Sequence, residues 1–102
     1  MGKPIRTDRL EELIRAELNL LFQHEVQDPA LAGVTVTRVE LSRDVSRVRV
    51  WFWGGGDEVM DALERATGFL RRELAETLAL KRTPELTYRR DPATRAFEPE
   101  GT

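Results

Sequence analysis

The sequence predicts one small α+β domain with the order helix, strand, strand, interrupted helix, strand. Two long segments repeat their apolar residues every three or four positions, and two short segments between them alternate apolar with polar residues. A third short apolar segment follows the second long one. At 102 residues the chain has room for a single domain with a small core. Hydrophobic residues make up 40% and charged residues 33%, so we expect a folded and very soluble domain.

The first helix is predicted to end at Asp28, because Pro29 disfavours helical geometry in the residue before it. Asp8 and Glu11 fit a capping box at its start. His24, the only histidine, is expected to be an ordinary surface residue. The apolar stripe comprises Leu10, Leu13, Ile14, Leu18, Leu21, Phe22 and Val26. The opposite face carries Glu12, Ala16, Asn19 and Gln23.

Two strands are predicted next, over residues 34–41 and 47–53, joined by a turn into an antiparallel hairpin. The alternation changes phase inside the first strand, which predicts a bulge near Thr37 and Arg38. In the second strand Val48, Val50 and Phe52 should face the core. The other face carries Arg47, Arg49, Trp51 and Trp53. These side chains could stack on bases, or the rings could simply cover a thin sheet beneath arginine stems.

The second helix is predicted over residues 57–80, after three glycines and with Asp57 as its cap. Its stripe comprises Val59, Leu63, Ala66, Leu70, Leu74 and Leu78. Gly68 lies inside it, where a glycine costs about 1 kcal/mol relative to alanine, so we expect a kink or a close backbone approach. A bend there would also turn Phe69 inward. Residues 86–89 are predicted as the last strand, and residues 92–102 as a polar tail.

The sequence carries none of the common catalytic or metal-binding motifs and has no cysteine. Asp57 and Asp61 share a helix face and could in principle serve a metal or acid–base chemistry, but an acidic first helical turn explains them more simply. We therefore expect no enzyme, no cofactor and no metal. No apolar segment approaches the roughly 20 residues of a membrane span, and no signal-peptide core follows Lys3 and Arg6, so the expected location is the cytoplasm.

The net charge of −2 does not by itself favour a nucleic-acid binder, but the charges are segregated. Residues 65–90 carry seven arginines and lysines against three glutamates, while acid is concentrated in residues 57–64 and 91–102. Such segregation can produce a local positive face. Arg65 and Arg72 lie on one helix side, and Gly68 between them would let a polyanion approach. The alternative is a solvated helix face paired with Glu64, Glu73 and Glu76.

Six short stretches, in this order and at these spacings, carry a family resemblance. They are residues 15–18 (RAEL), 28–31 (DPAL), 33–37 (GVTVT), 39–44 (VELSRD), 66–74 (ATGFLRREL) and 80–86 (LKRTPEL). Together they make the chain, over about residues 5–91, similar to the ribosome-binding factor A family of bacterial small-subunit assembly proteins.

The resemblance implies a type II KH-like domain over residues 1–91, with a three-stranded mixed sheet backed by helices, followed by the tail. In this family an Ala-x-Gly helix kink, here Ala66-Thr67-Gly68, replaces the Gly-x-x-Gly clamp of ordinary KH domains. The implied function is non-enzymatic binding of the immature 30S small ribosomal subunit and its 16S rRNA, which assists late rRNA processing, maturation and adaptation to cold. The implied partners are that subunit and an assembly GTPase that assists release, with a monomer off the ribosome.

The expected RNA-binding residues form a basic set around the kink, the end of the second helix, the last strand and the N-terminal arm. They are Arg65, Ala66, Thr67, Gly68, Arg71, Arg72, Lys81, Arg82, Arg89, Arg90, Lys3 and Arg6. One alternative function is a protein-interaction module that docks a partner through Trp51 and Trp53, and a small-ligand-binding ferredoxin-like domain comes third. Only an assembly factor should sediment with free small subunits and dissociate as salt rises.

Overall fold

The structure is a computed structural model that describes residues 5–92, and side chains from residue 7 onward. Lys3, the side chain of Arg6 and residues 93–102 of the predicted tail lie outside the described part. The elements are α1 (Ile5–His24), a 3-10 turn (Pro29–Leu31), β1 (Thr35–Leu41), β2 (Arg47–Trp53), α2 (Val59–Thr77) and β3 (Glu85–Arg90). The predicted α+β class and element order are confirmed.

The three strands form one mixed sheet with β2 in the centre. β1 pairs with β2 antiparallel, and the register shifts between Val36 and Arg38, which confirms the predicted bulge. β3 pairs with β2 in parallel, an arrangement that requires a crossover, and α2 supplies it.

Both helices pack on the same face of this sheet. Val48, Val50 and Phe52 of β2 are at most 1% exposed, and the helices meet them with fully buried residues such as Ile14, Leu18, Leu63, Leu70 and Leu74. No polar or charged side chain is buried among the described residues. Leu13 was wrongly placed in the buried stripe: it is 48% exposed, because it lies about 100° around the helix from Ile14.

Polar side chains of α1 bind the outer edge of β1, a role that the sequence did not predict. The Asn19 amide accepts a hydrogen bond from the Val36 N–H at 2.7 Å and donates one to the Val36 carbonyl at 3.0 Å. Glu11 Oε2 accepts a hydrogen bond from the Leu41 N–H at 3.0 Å. The capping box predicted at Asp8 and Glu11 is therefore wrong, because α1 already begins at Ile5. These contacts satisfy backbone groups that an edge strand would otherwise expose.

α2 is one continuous helix through Gly68. No other backbone approaches Gly68, so the expected close approach is wrong, whereas the kink stays a prediction. Gly68 has no positive φ, and Phe69 packs half-buried against the core. Asp57 does not cap the helix: Glu58 occupies the N-cap position, and its side chain makes no capping hydrogen bond. Within residues 5–92, neither helix is long and apolar enough to cross a membrane.

Candidate nucleic-acid interface

The exposed members of the predicted RNA-binding set that the structure describes lie in three places. Arg65, Gly68 and Arg72 form the outer side of α2, named here the α2 face. Lys81 and Arg82 lie in a cleft beyond the end of that helix. Arg89 and Arg90 are exposed on β3.

On the α2 face the two arginines have different environments. Arg65 Nη2 donates to Asp28 Oδ2 at 2.8 Å, and this guanidinium, together with the Ala30 N–H, lowers the pKa of the Asp28 carboxyl. Asp61 and Glu58 add negative charge near Arg65. Arg72 is exposed and makes no ion pair with another described residue. Arg72 is therefore the cation of this face that is most available to an anion.

The alternative interpretation paired these arginines with glutamates of their own helix, and the described residues do not show that pairing. In the described range, Glu64, Glu73 and Glu76 form no ion pair with Arg65 or Arg72. At Gly68 an added Cβ would meet only Arg72 Nη1, at 3.6 Å. The helix backbone between the two guanidinium groups is thus open to solvent.

Two predicted RNA-binding residues, Arg71 and Thr67, have hydrogen-bond partners within the fold. Arg71 donates from Nε to the Pro84 carbonyl at 2.7 Å and from Nη2 to the Thr83 carbonyl at 3.1 Å. Thr67 Oγ1 donates to the Leu63 carbonyl and lies 2.6 Å from the Tyr88 hydroxyl. Ala66 is half-buried against the core. These residues fix the α2–β3 connection, and sequence periodicity carries no signal for such tertiary contacts.

A cleft of about 690 Å³ opens where α1, the β1–β2 turn and the α2–β3 connection meet. Three exposed cations line it: Arg43, Lys81 and Arg82. Arg43 was not predicted as a site residue, because the sequence only places it in a turn. We call these three residues and the space between them the basic cleft.

Asp44 is the one acid among the described residues that line the basic cleft, and it is hydrogen-bonded within its own turn. Its Oδ1 accepts hydrogen bonds from the Ser46 hydroxyl at 2.7 Å, the Ser42 hydroxyl at 3.0 Å and the Ser46 N–H at 3.1 Å. These bonds lower the pKa of Asp44 to about 2. No ion pair joins Asp44 to the three cations in the part of the chain that the structure describes.

Both non-glycine residues with positive φ in the described chain line the basic cleft: Val45 (φ 60°) and Ala79 (φ 53°). A β-branched residue is rare in this region, and such conformations cost about 1–3 kcal/mol each. The Val45 N–H donates to the Ser42 carbonyl at 3.0 Å. Ala79 ends α2 in a Schellman motif, in which the Leu80 N–H donates to the Ala75 carbonyl at 2.9 Å. Specific hydrogen bonds thus fix the backbone on both sides of the basic cleft, in the β1–β2 turn and at the end of α2.

The outer face of the sheet carries the predicted arginine and tryptophan cluster. The Arg38 guanidinium lies 4.6 Å from the centroid of the Trp51 ring, and Glu40 lies 3.4 Å from Arg38 and 3.5 Å from Arg49. Trp53, at 37% exposed, is the more accessible ring. An arginine side chain that lies across a tryptophan ring fits the interpretation in which the rings cover a thin sheet beneath arginine stems.

Comparisons with known proteins identify relatives of the chain. The family model described as "Ribosome-binding factor A" matches residues 6–98. A ribosome-binding factor A from Thioalkalivibrio sulfidiphilus is 40% identical over 91 residues, covering 84% of this chain and 70% of the relative.

Solved structures agree. The crystal structure of ribosome-binding factor A from Thermus thermophilus is 29% identical, with a TM-score of 0.75, over 82% of this chain and 94% of that one. A homology model of the Thermus thermophilus protein, as fitted into a cryo-EM map of its complex with 30S, is 28% identical, with a TM-score of 0.60, over 85% and 97% of the two chains. The predicted KH-like α+β fold is confirmed.

Proposed function

Since this chain belongs to the ribosome-binding factor A family, we propose that it is a ribosome assembly factor that binds the immature 30S subunit. The fitting of a relative of the same fold into a map of a 30S complex supports this proposal. On this proposal the chain acts in the cytoplasm without catalysing a reaction, assists late 16S rRNA processing, and leaves with the help of an assembly GTPase. Residues 1–91 would act as the binding domain, and residues 92–102 as a tail.

We propose that the α2 face contacts rRNA, and one observation carries this proposal. Gly68 leaves the helix backbone bare beside the exposed Arg72 guanidinium, which has no acidic partner among the described residues. A phosphate could therefore reach both the backbone surface and a free cation, and neutralising it would release counterions. Arg65 already forms an ion pair with Asp28, so we expect Arg65 to contribute less to RNA binding than Arg72 does.

The experiment is co-sedimentation with 30S subunits at increasing salt, comparing Arg72→Glu with Arg47→Glu. Both replace an exposed arginine by glutamate, but Arg47 lies on the outer face of the sheet. Arg72→Glu should weaken binding and make the log–log salt dependence shallower by about one unit. Arg47→Glu should bind like the wild type, and both should keep the wild-type circular dichroism.

The opposite result would favour the alternative function. If Arg72→Glu binds normally while Arg47→Glu is weakened, the face that carries Trp51 and Trp53 is the docking surface. Binding by neither the wild type nor the variants would contradict the proposed function itself.

A further inference from the structure

We propose that the basic cleft is a second RNA contact, separate from the α2 face, that holds backbone phosphates of a single strand independently of base sequence. This proposal rests on the proposed function, because it assigns a second contact to the same RNA. Its components come from three segments that are distant in sequence: Arg43 from the β1–β2 turn, and Lys81 and Arg82 from the α2–β3 connection, against the first turns of α1.

The charge of the basic cleft fits a polyanion. Among the lining residues that the structure describes, three are cations and one is a carboxylate, and Ser42 and Ser46 already donate hydrogen bonds to that carboxylate. The cations therefore have no competing acid in the described structure of the cleft. The acids that crowd Arg65 on the α2 face, Asp28 and Asp61, are not among the lining residues of the cleft.

The exposure of the cations favours an RNA strand over a small anion. A small-anion site encloses its ligand with buried donors, whereas Arg43, Lys81 and Arg82 are all exposed side chains. Long exposed cations can follow successive phosphates of a flexible chain, and a volume of about 690 Å³ holds more than one phosphate group. Each contact releases counterions, so several weak contacts add up.

The lining also indicates that bases are not recognised here. The described lining residues include no aromatic ring on which a base could stack, and their apolar part is aliphatic, from Leu10 and Leu80. Contacts to phosphate position a nucleic acid without distinguishing its sequence. Binding in the cleft should therefore be the same for uridine-rich and adenosine-rich strands.

The backbone supports a binding role for the same place. Val45 and Ala79 hold left-handed conformations on the two walls, and strained backbone is characteristic of binding sites whose geometry is fixed in advance. Another explanation of Lys81 and Arg82 is that they offset the negative end of the α2 dipole. That role would affect stability and leave RNA binding unchanged, so the two explanations can be separated.

The first experiment uses the full chain labelled for amide NMR. The probes are a uridine 12-mer, an adenosine 12-mer and inorganic phosphate at equal phosphate concentration. Both 12-mers should shift the amides of Val45 and Ala79 with similar saturation curves that weaken as salt rises. If inorganic phosphate gives the same saturation, the ligand is a small anion and the proposal is wrong. A strong preference for one 12-mer would contradict phosphate recognition.

The second experiment compares two triple variants in 30S co-sedimentation and in 12-mer binding. Arg43→Gln with Lys81→Gln and Arg82→Gln neutralises the basic cleft, and Arg38→Gln with Arg47→Gln and Arg49→Gln removes the same charge from the outer sheet face. The cleft variant should lose about two units of log–log salt slope, at about 0.7 per phosphate contact on a single strand. The sheet variant should bind like the wild type.

The outcomes separate the two proposals. In one outcome the cleft variant binds 30S at the wild-type level and only its melting temperature falls. The cations then stabilise the negative end of the α2 dipole, and the cleft proposal is wrong, while the proposed function stands. If the wild-type chain binds no 30S subunit, the proposed function fails, whatever the cleft does with the 12-mers.

Discussion

Asn19 gives the sharpest test of how this fold is held together, because one side chain serves both polar groups of a buried backbone unit. Val36 is fully buried. The Val36 N–H donates to Asn19 Oδ1 at 2.7 Å, and Asn19 Nδ2 donates to the Val36 carbonyl at 3.0 Å. Asn19→Ala would leave a donor and an acceptor at the edge of β1 without partners. Each unsatisfied buried group costs about 1–3 kcal/mol. Since Asn19 is only half-buried, water can reach part of the site, and we expect a loss of about 2–4 kcal/mol.

Urea denaturation followed by circular dichroism measures this loss. A domain of this size has about 5–15 kcal/mol of stability. In a separate thermal unfolding experiment, 1 kcal/mol moves the melting temperature by about 4–8 °C, so the melting temperature should fall by about 8–32 °C. Gln23→Ala, four residues along the same helix at an exposed position, is the control and should stay within about 0.5 kcal/mol.

Asn19→Asp separates the two bonds. The carboxylate can still accept from the Val36 N–H, but its second oxygen faces the Val36 carbonyl and can donate only when protonated. The folded-state pKa of the new carboxyl should therefore be raised, so the variant is most stable below the unfolded pKa of about 3.9 and loses stability as pH rises through the folded value. A pH-independent Asn19→Asp, or an Asn19→Ala within 0.5 kcal/mol of the wild type, would refute this account of the β1 edge.

Two further predictions concern α2 and its contact with β3. Gly68→Ala should raise the free energy of unfolding by about 0.5–1 kcal/mol, measured by thermal unfolding. Gly68 is helical and exposed, and the added methyl meets only Arg72 Nη1 at 3.6 Å. A loss of stability would mean that the backbone at Gly68 needs a conformation that alanine cannot adopt. Tyr88 is the only tyrosine, and burial raises its pKa to about 12, so its ultraviolet absorbance should show ionisation near pH 12. Because the folded state favours the neutral phenol, stability from this group is complete below about pH 10 and is lost as pH rises toward 12. A midpoint near 10 in the folded protein would contradict the burial of its hydroxyl.

Local periodicity was sufficient to predict the elements of this fold. The alternation from Val48 to Phe52 and the phase change in β1 depend on neighbours two residues apart, so the hairpin and its bulge could be predicted. Gly68 does not end the helix, because its cost of about 1 kcal/mol is smaller than what the burial of leucines such as Leu63 and Leu70 contributes to the same helix.

The candidate site was predictable only in part. The exposed positions of Arg65 and Arg72 follow from the helical period, whereas the pairing of Arg65 with Asp28 joins segments 37 residues apart. Arg71 looks like another surface cation until the α2–β3 connection places two carbonyls before it. Arg43 and Lys81 come together only when the turn and the end of α2 meet, and no local pattern encodes that meeting.

The parallel pairing of β3 with β2 also dictates an order of events during synthesis. β1 and β2 can pair as soon as their short turn exists, but β3 is the last of the described elements to be made and must wait until α2 has crossed the sheet. Until then the growing chain carries β2 with a bare edge, which is a template for association with other chains. Closure over such a sequence distance is slow, so we expect the arrival of β3 to set the pace of folding. A chain that stops before Glu85 would keep that edge permanently and should aggregate instead of folding.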